Sequence, residues 1–188
     1  MGKIILGDCL EVMRDIDPSK IALVLTDPPY PDYHVELYGY KDGLLDELNR
    51  FTCRQFVFWS ARVDFPLSYT AIHIWDKKVG ISTSYERIFE RNGNKDYRVY
   101  RHYFINSSVA AKMAGDEYTG HKSQKPTKLL KEIIARYTKE GDTVLDPFAG
   151  SGSTLVAAKQ LNRNYIGIEI NPDYVKIAED RLKQGVLL

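Results

Sequence analysis

The segment that most constrains the fold lies near the carboxyl end of the sequence. An apolar run that ends at Asp146 is followed by Gly150 and Gly152, and then by a helical pattern over residues 153–161. A second apolar run ends in the acidic residue Glu169. A strand, a glycine turn, a helix and a strand in this order are typical of nucleotide-binding α/β folds, where glycines let the backbone approach the ligand and the acid binds ribose hydroxyls. The lysine of a phosphate-binding P-loop is missing after the glycines.

Short apolar runs predict the other strands of the same sheet. Strands are expected at residues 3–6, 21–26, 55–60, 71–75, 98–104, 143–145 and 165–169. Helices are expected at residues 127–138, 153–161 and 173–183, with prolines at the start of the first and last. Most of the strands are continuously apolar, as in parallel sheets covered on both faces. The pattern predicts an α/β fold with a doubly wound, mostly parallel, Rossmann-like sheet, in a single domain over residues 1–188.

The composition does not indicate a function, so the prediction of function depends on local motifs. The 188 residues carry 26 basic and 25 acidic side chains, so the net charge of +1 provides no overall attraction to nucleic acid. Cys9 and Cys53 are far apart in the sequence and predict neither a disulfide framework nor a metal site. The sequence has no signal peptide and no apolar run long enough to cross a bilayer. We therefore expect a cytoplasmic protein that uses neither a metal nor a membrane.

A second motif, Asp27-Pro28-Pro29-Tyr30, follows the predicted strand 21–26. The two prolines fix φ and remove two backbone donors, which leaves carbonyl acceptors beside the Asp27 carboxylate. Two acceptors and one aromatic face suit an exocyclic amino group on a planar base. An Asp-Pro turn that simply ends a strand is the alternative for the motif, and packing against the sheet edge is the alternative for Tyr30.

Together the two motifs resemble those of the amino-group DNA methyltransferases that use S-adenosylmethionine. Residues 27–30 are similar to the catalytic motif of that family, and residues 146–152 to its cofactor motif. Residues 121–126 read H-x-x-Q-K-P, similar to the segment that covers the methionine end of the cofactor, and residues 7–10 resemble the stretch that holds adenine. The catalytic motif precedes the cofactor motif, which is the order of the permuted β subgroup.

The resemblance implies a role for each matching residue. The catalytic residues would be Asp27, Pro28, Pro29 and Tyr30, with the base flipped out of the duplex to stack on Tyr30. The S-adenosylmethionine site would be formed by Asp8, Cys9, Lys125, Asp146, Pro147, Phe148, Gly150, Ser151, Gly152 and Glu169. Two alternatives stay open: Asp8 either contacts adenine or caps a helix, and Lys125 either pairs with the cofactor carboxylate or lies exposed.

DNA contacts are expected in the basic and aromatic segment 87–101, through Arg87, Arg91, Lys95, Arg98 and Arg101. Solvated charges on an exposed hairpin are the alternative. The usual target-recognition domain is absent or reduced to residues 92–120, so we expect few DNA contacts for each copy and a homodimer. A tyrosine-rich loop at residues 33–43 is of the kind that closes over a substrate, and ordinary packing is the favoured alternative for any one of its tyrosines. Residues 75–78 and 85–86 are expected to line the base pocket from its far side.

The favoured function is methylation of adenine N6 in DNA, because enzymes that methylate cytosine N4 more often carry serine in place of Asp27. Methylation of cytosine N4 is the close alternative. A nicotinamide dehydrogenase would explain the glycine turn and Glu169 but would leave residues 27–30 without a role. A non-catalytic subunit that binds cofactor and DNA for a partner enzyme is the remaining alternative.

Overall fold

The computed structural model describes residues 2–32, 45–78, 85–121 and 123–184, to which the structural statements below refer. Their strands are β1 (Gly2–Leu6), β2 (Leu23–Thr26), β3 (Arg54–Trp59), β4 (Ala71–Asp76), β5 (Tyr85–Arg91), β6 (Val99–Arg101), β7 (Thr143–Asp146) and β8 (Asn164–Glu169). Their α-helices are α1 (Cys9–Arg14), α2 (Ser108–Ala114), α3 (Thr127–Tyr137), α4 (Ser153–Gln160) and α5 (Pro172–Lys183). Short 3-10 helices lie at Pro18–Lys20 and Asp46–Arg50.

The eight strands form one sheet in the order β1-β8-β7-β2-β3-β5-β4-β6. Five of the seven neighbouring pairs are parallel, and β5 runs antiparallel to both of its neighbours, β3 and β4. The predicted doubly wound, mostly parallel α/β fold is confirmed. The permuted motif order is accommodated because β2, from the first half of the chain, pairs with β7, from the second half.

Two apolar cores cover the two faces of the sheet. Alternate residues of β2 enter different cores: Leu23 and Leu25 pack with α3 and α4, whereas Val24 packs with α1 and the 3-10 helix Asp46–Arg50. Burial of both faces explains why β2 is apolar at consecutive positions. Helix α3 forms because its apolar residues recur on one face, and Leu129, Leu130, Ile133 and Ile134 are all buried.

The predicted helices and seven predicted strands are present within one to three residues of their expected ends. Strand β5 and helix α2 were not predicted. Strand β5 was missed because four of its seven residues are charged, namely Glu86, Arg87, Glu90 and Arg91. Periodicity of apolar residues cannot identify a central strand whose charges are neutralised by other elements.

Arg91 shows how the fold accommodates such a charge. Its side chain is buried, and its guanidinium donates to the Ser68 carbonyl at 2.9 Å, to Gln55 Oε1 at 2.7 Å and to Asn49 Oδ1 at 2.6 Å. These bonds join β5 to β3, to the 3-10 helix Asp46–Arg50 and to the loop before β4. Arg91 therefore stabilises the sheet, and its described donors are turned inward.

Replacing Arg91 with methionine tests this structural role. Arg91→Met should lower the free energy of unfolding by about 1–3 kcal/mol, because Gln55 and Asn49 would lose a buried donor. Arg101→Met is the matched control, since the Arg101 side chain is 68% exposed and its loss should change stability by about 0.5 kcal/mol or less. Urea denaturation measures both changes. Equal stability of the two variants would contradict the structural role.

Candidate active site

The cavity that brings the two sequence motifs together lies at the carboxyl edge of the parallel strands. Strands β2 and β7 are parallel neighbours, with Val24 opposite Leu145, and they end at Thr26 and Asp146. The loops that follow them line one cavity of about 660 Å³. This volume is in the range of ligand sites, and the position is where open α/β sheets bind ligands.

The Asp27-Pro28-Pro29-Tyr30 loop is fixed from behind by the end of β3. The Tyr30 ring meets the buried Trp59 ring edge-on, with centroids 5.5 Å apart. Two residues further on, Asp32 Oδ2 accepts a 2.7 Å hydrogen bond from the Ser60 hydroxyl. Tyr30 packs on the sheet edge and also lines the cavity. The packing role and a contact with ligand are therefore compatible.

Asp27 lies next to a buried ammonium group. Lys125 Nζ donates to Asp27 Oδ2, and the Lys125 side chain is 7% exposed. Burial raises the pKa of Asp27 to about 6 against the opposing effect of the Lys125 charge. Burial also disfavours the charge on Lys125, but Asp27 and then Glu86 outweigh it and raise the pKa of Lys125. The alternative in which Lys125 lies exposed is wrong.

The glycine turn after β7 is held by Glu169 at the end of β8. Glu169 Oε2 accepts from the Gly150 N–H and Oε1 from the Asn171 N–H, each at 2.8 Å. Gly150 and Gly152 have φ values of 51° and 80°, a region that glycine adopts without strain. Burial raises the pKa of Glu169.

Asp146 connects the glycine turn to the end of β2. Its Oδ1 accepts from the Thr26 hydroxyl at 2.7 Å and from the Phe148 N–H at 3.1 Å. Burial raises the pKa of Asp146 to about 6 although these donors, and the Thr154 hydroxyl, favour the charged form. One carboxylate thus orients the ends of both β2 and β7.

The remaining wall combines the N-terminal motif with the segment before α3. Asp8 Oδ1 caps α1 by accepting from the Leu10 N–H at 2.8 Å, and Asp8 also lines the cavity. The cap is therefore present, and the adenine contact stays a prediction. Burial, followed by the charge of Lys125, lowers the pKa of His121 to about 4, so His121 is neutral at pH 7. Its ring packs against Tyr174, with centroids 4.5 Å apart.

All four predicted catalytic residues and nine of the ten predicted cofactor residues line this cavity. Gly152 is the one that does not. It precedes α4, and a Cβ at this position would lie 2.7 Å from Cβ of Ala178 in α5. The roles of these residues in binding and catalysis remain predictions.

The five predicted DNA-contacting residues are not equally placed to meet a phosphate. Arg87 donates to the Ser60 and Val63 carbonyls, and Arg91 is committed to the bonds described above. Arg98 pairs with Asp96. Lys95 is exposed, and so is Arg101, which lies 3.6 Å from Asp76. The predicted loop at residues 33–43 lies outside the described residues.

Several contributors to the site were missed by sequence reasoning. The sequence predicts Thr26 only as part of a strand and Arg181 only as part of a helix. In the structure, Arg181 donates to the Ser151 carbonyl at 2.7 Å and to Ser153 Oγ at 3.1 Å. Glu86 was expected to line the base pocket, but it lies behind Lys125. For Arg181 the available signal was a lone charge on an apolar helix face, beside Ala178 and Leu182. Glu86 gave no such signal, because it lies in a strand with four charged residues.

Two comparisons with known proteins decide the family. The family model for DNA methylases, N6_N4_Mtase, matches residues 56–180. The putative methylase YubD of Escherichia coli (strain K12) is 30% identical over 97% of this chain and 90% of its own length. The chain belongs to the DNA methylase family. Its membership confirms the predicted class, the S-adenosylmethionine-dependent DNA methyltransferases, and the predicted cofactor.

Other known proteins resemble this chain over different extents. The DNA adenine methyltransferase YhdJ of Escherichia coli (strain K12) is 52% identical over 36% of this chain and 23% of its own length. The chain spans about two fifths of the length of two type II methyltransferases that it also matches. The crystal structure of the M1.HpyAVI–SAM complex is 25% identical, with a TM-score of 0.65 over 97% of this chain and 99% of that one.

Two further properties concern the described part of this DNA methylase. No helix there is long and apolar enough to cross a membrane. The same residues contain no group of three or more His, Cys, Asp and Glu side chains that could hold a metal ion.

The glycine turn can be tested by comparing two glycines with the same backbone conformation. Gly152→Ala and Gly141→Ala both place a side chain at a φ near 80°, but only Gly152 has neighbouring atoms within 4 Å. Gly141→Ala should cost about 1–2 kcal/mol of stability for the left-handed backbone. Gly152→Ala should cost about 1–3 kcal/mol more because its Cβ meets Ala178. Urea denaturation gives the difference, and equal costs would refute the packing role of Gly152.

Proposed function

We propose that this chain transfers a methyl group from S-adenosylmethionine to the exocyclic N6 amino group of adenine in DNA. The observation that carries the proposal is the shared cavity, where Asp27 and Tyr30 face the same space as Asp146, Gly150 and Glu169. Cofactor and target base would therefore meet in one site, as methyl transfer requires.

The charges of the cavity favour a cationic cofactor. Asp27, Asp146 and Glu169 line it, whereas among the described lining residues Lys125 is the one lysine or arginine, and it is paired with carboxylates. A sulfonium cation suits such a site. The pyrophosphate of a nicotinamide dinucleotide would lie among carboxylates, and no lysine or arginine among the described lining residues is free to neutralise it, which argues against a dehydrogenase.

The chemistry of the transfer follows from the acceptors around Asp27. The lone pair of an adenine amino group is delocalised into the ring, and hydrogen bonds from that group to Asp27 and a nearby backbone carbonyl favour the pyramidal nitrogen. When bound, S-adenosylmethionine would supply a methyl carbon that forms a bond to this nitrogen as its bond to sulfur breaks, with the electron pair left on sulfur. The methylated nitrogen loses one proton, for which the Asp27 carboxylate is the adjacent acceptor.

Adenine is preferred over cytosine because Asp27 stands where serine is more frequent in cytosine-N4 enzymes, and because the chain is similar to a DNA adenine methyltransferase.

We propose that Lys95 and Arg101, the two exposed members of the basic segment, contribute phosphate contacts. A homodimer and a cytoplasmic location stay predictions. Sedimentation with and without DNA tests the first of these.

The Asp27→Ala variant should separate chemistry from cofactor binding. It removes the acceptor without touching the glycine turn, and Lys125 keeps Glu86 as a partner at 3.4 Å. Methyl transfer to unmethylated DNA should fall by about a hundredfold or more, with little change in S-adenosylmethionine affinity. Tritiated-methyl transfer followed by nucleoside analysis, and calorimetry, are the two measurements. Asp180→Ala, on the exposed surface of α5, is the control. Loss of cofactor binding with methylation intact would reverse the two assignments.

The Glu169→Ala variant should show the opposite behaviour. Loss of a buried hydrogen-bonding carboxylate should weaken S-adenosylmethionine binding by about 1–3 kcal/mol. Titration of wild type, Glu169→Ala and the exposed Glu179→Ala with both S-adenosylmethionine and a nicotinamide dinucleotide provides the test. A wild-type preference for the dinucleotide would reject the methyltransferase proposal in favour of a dehydrogenase.

A further inference from the structure

A buried cluster of four charges stands behind the catalytic carboxylate. Lys125 Nζ donates to Asp27 Oδ2 and lies 3.4 Å from Glu86 Oε2, and Lys77 Nζ lies 2.7 Å from Glu86 Oε1. The four side chains are between 7% and 20% exposed. With two ammonium groups and two carboxylates, the cluster is neutral when every member is ionised.

The fold assembles this cluster from four separate elements. Asp27 follows β2, Lys77 follows β4, Glu86 lies near the start of β5, and Lys125 precedes α3. Aromatic rings lie beside both cations: Lys125 Nζ is 5.2 Å from the Phe58 ring centroid, and Lys77 Nζ is 4.6 Å from the Phe104 ring centroid. Bringing these charges out of water costs free energy, and a protein with apolar residues in their place is often at least as stable. Stability alone therefore does not explain why positions 86 and 125 carry charged residues. A role at the cavity explains it.

We propose that Glu86 and Lys125 are positioning residues for methyl transfer, with Lys125 shared between Asp27 and Glu86 so that Asp27 stays ionised in the empty cavity and can turn its charge to the substrate amino group. The inference rests on the proposed function, because it requires Asp27 to be the acceptor for that group.

The sharing of Lys125 between Asp27 and Glu86 matters because charge moves during the reaction. Positive charge develops on the amino nitrogen as its bond to the methyl carbon forms, and the Asp27 carboxylate neutralises that charge. When the nitrogen passes its proton to Asp27, the resulting neutral carboxyl group no longer balances Lys125. Glu86 then remains as the counter-charge of Lys125, with Lys77 beside it. Without Glu86, the same step would leave a buried ammonium group unpaired.

The charged neighbours of Asp27 act on its protonation in opposite directions. Glu86 and Asp146 raise the pKa of Asp27, and Lys125 lowers it. Lys125, with Lys77, lowers the pKa of Glu86 against the effect of burial. His121 is near Lys125 but neutral. Wild-type activity should therefore decline as the pH falls through about 6, where Asp27 takes up a proton.

The test compares Glu86→Gln and Lys125→Gln, with the exposed Glu179→Gln as control, in single-turnover methylation of DNA across pH 5–8. Glu86→Gln should move the acid limb of the rate profile to lower pH, and Lys125→Gln should move it to higher pH, each by about half a unit or more. At pH 7.5 each rate constant should fall about tenfold, and Glu86→Gln, whose side chain does not line the cavity, should keep S-adenosylmethionine affinity within about twofold of wild type. A merely structural role predicts no opposed shifts. The double variant should move the acid limb back from the Lys125→Gln position toward wild type.

A measurement that needs no catalysis separates this inference from the proposed function. The Asp27 carboxyl carbon, assigned by its loss in Asp27→Asn, can be titrated by ¹³C NMR in wild type and the same variants. Opposed shifts of the Asp27 pKa in the two single variants support the charge-sharing arrangement. If they occur without any methylation by wild type, the proposed function fails but the arrangement stands. An Asp27 titration that is the same in wild type, Glu86→Gln and Lys125→Gln overturns the inference, whatever the methylation assay shows.

Discussion

The pairing of β2 with β7 is the constraint on which the site depends. These strands are far apart in the sequence, and their parallel register places Thr26 beside Asp146 at one edge of the sheet. The 2.7 Å hydrogen bond between these side chains then fixes both strand ends. The Asp27-Pro28-Pro29-Tyr30 loop and the glycine turn start from these ends, so one register determines how the two motifs face each other. A shift of one residue would turn the side chains of β2 to opposite faces.

Burial gives the cavity its electrostatic character. Asp27, Asp146 and Glu169 all lie in low-dielectric surroundings, and burial raises the pKa of each. Hydrogen bonds from backbone and hydroxyl donors stabilise two of these carboxylates, whereas Asp27 depends on the Lys125 ammonium group. The site therefore combines fixed acceptors with an absence of free cations among its described lining residues. That combination suits a positively charged donor such as a sulfonium better than a phosphate.

Strand β5 carries charged residues at both of its ends, and the two groups have different roles. Glu86, near its start, belongs to the cluster behind Asp27. Glu90 and Arg91, at its end, join β5 to its neighbours on the opposite edge, where Glu90 pairs with His73 at 2.9 Å and with Arg54 at 3.2 Å. Because β5 runs antiparallel to β3, its start lies beside the carboxyl end of β3, at the edge of the sheet where the cavity is, and its end lies at the opposite edge. The segment expected to meet DNA is thus partly internal, which leaves Lys95 and Arg101 as its exposed cations.

The sequence by itself determined the fold class, the parallel strands and three main helices, because apolar periodicity and glycine turns are local properties. It also determined the two motifs that line the cavity. Only the tertiary structure decided which charges are neutralised. Lys125, Glu86 and Arg91 look like solvated residues in the sequence, and their partners lie 98, 39 and 36 positions away, at Asp27, Lys125 and Gln55. Contacts over such separations depend on strand order and register, which no local pattern specifies.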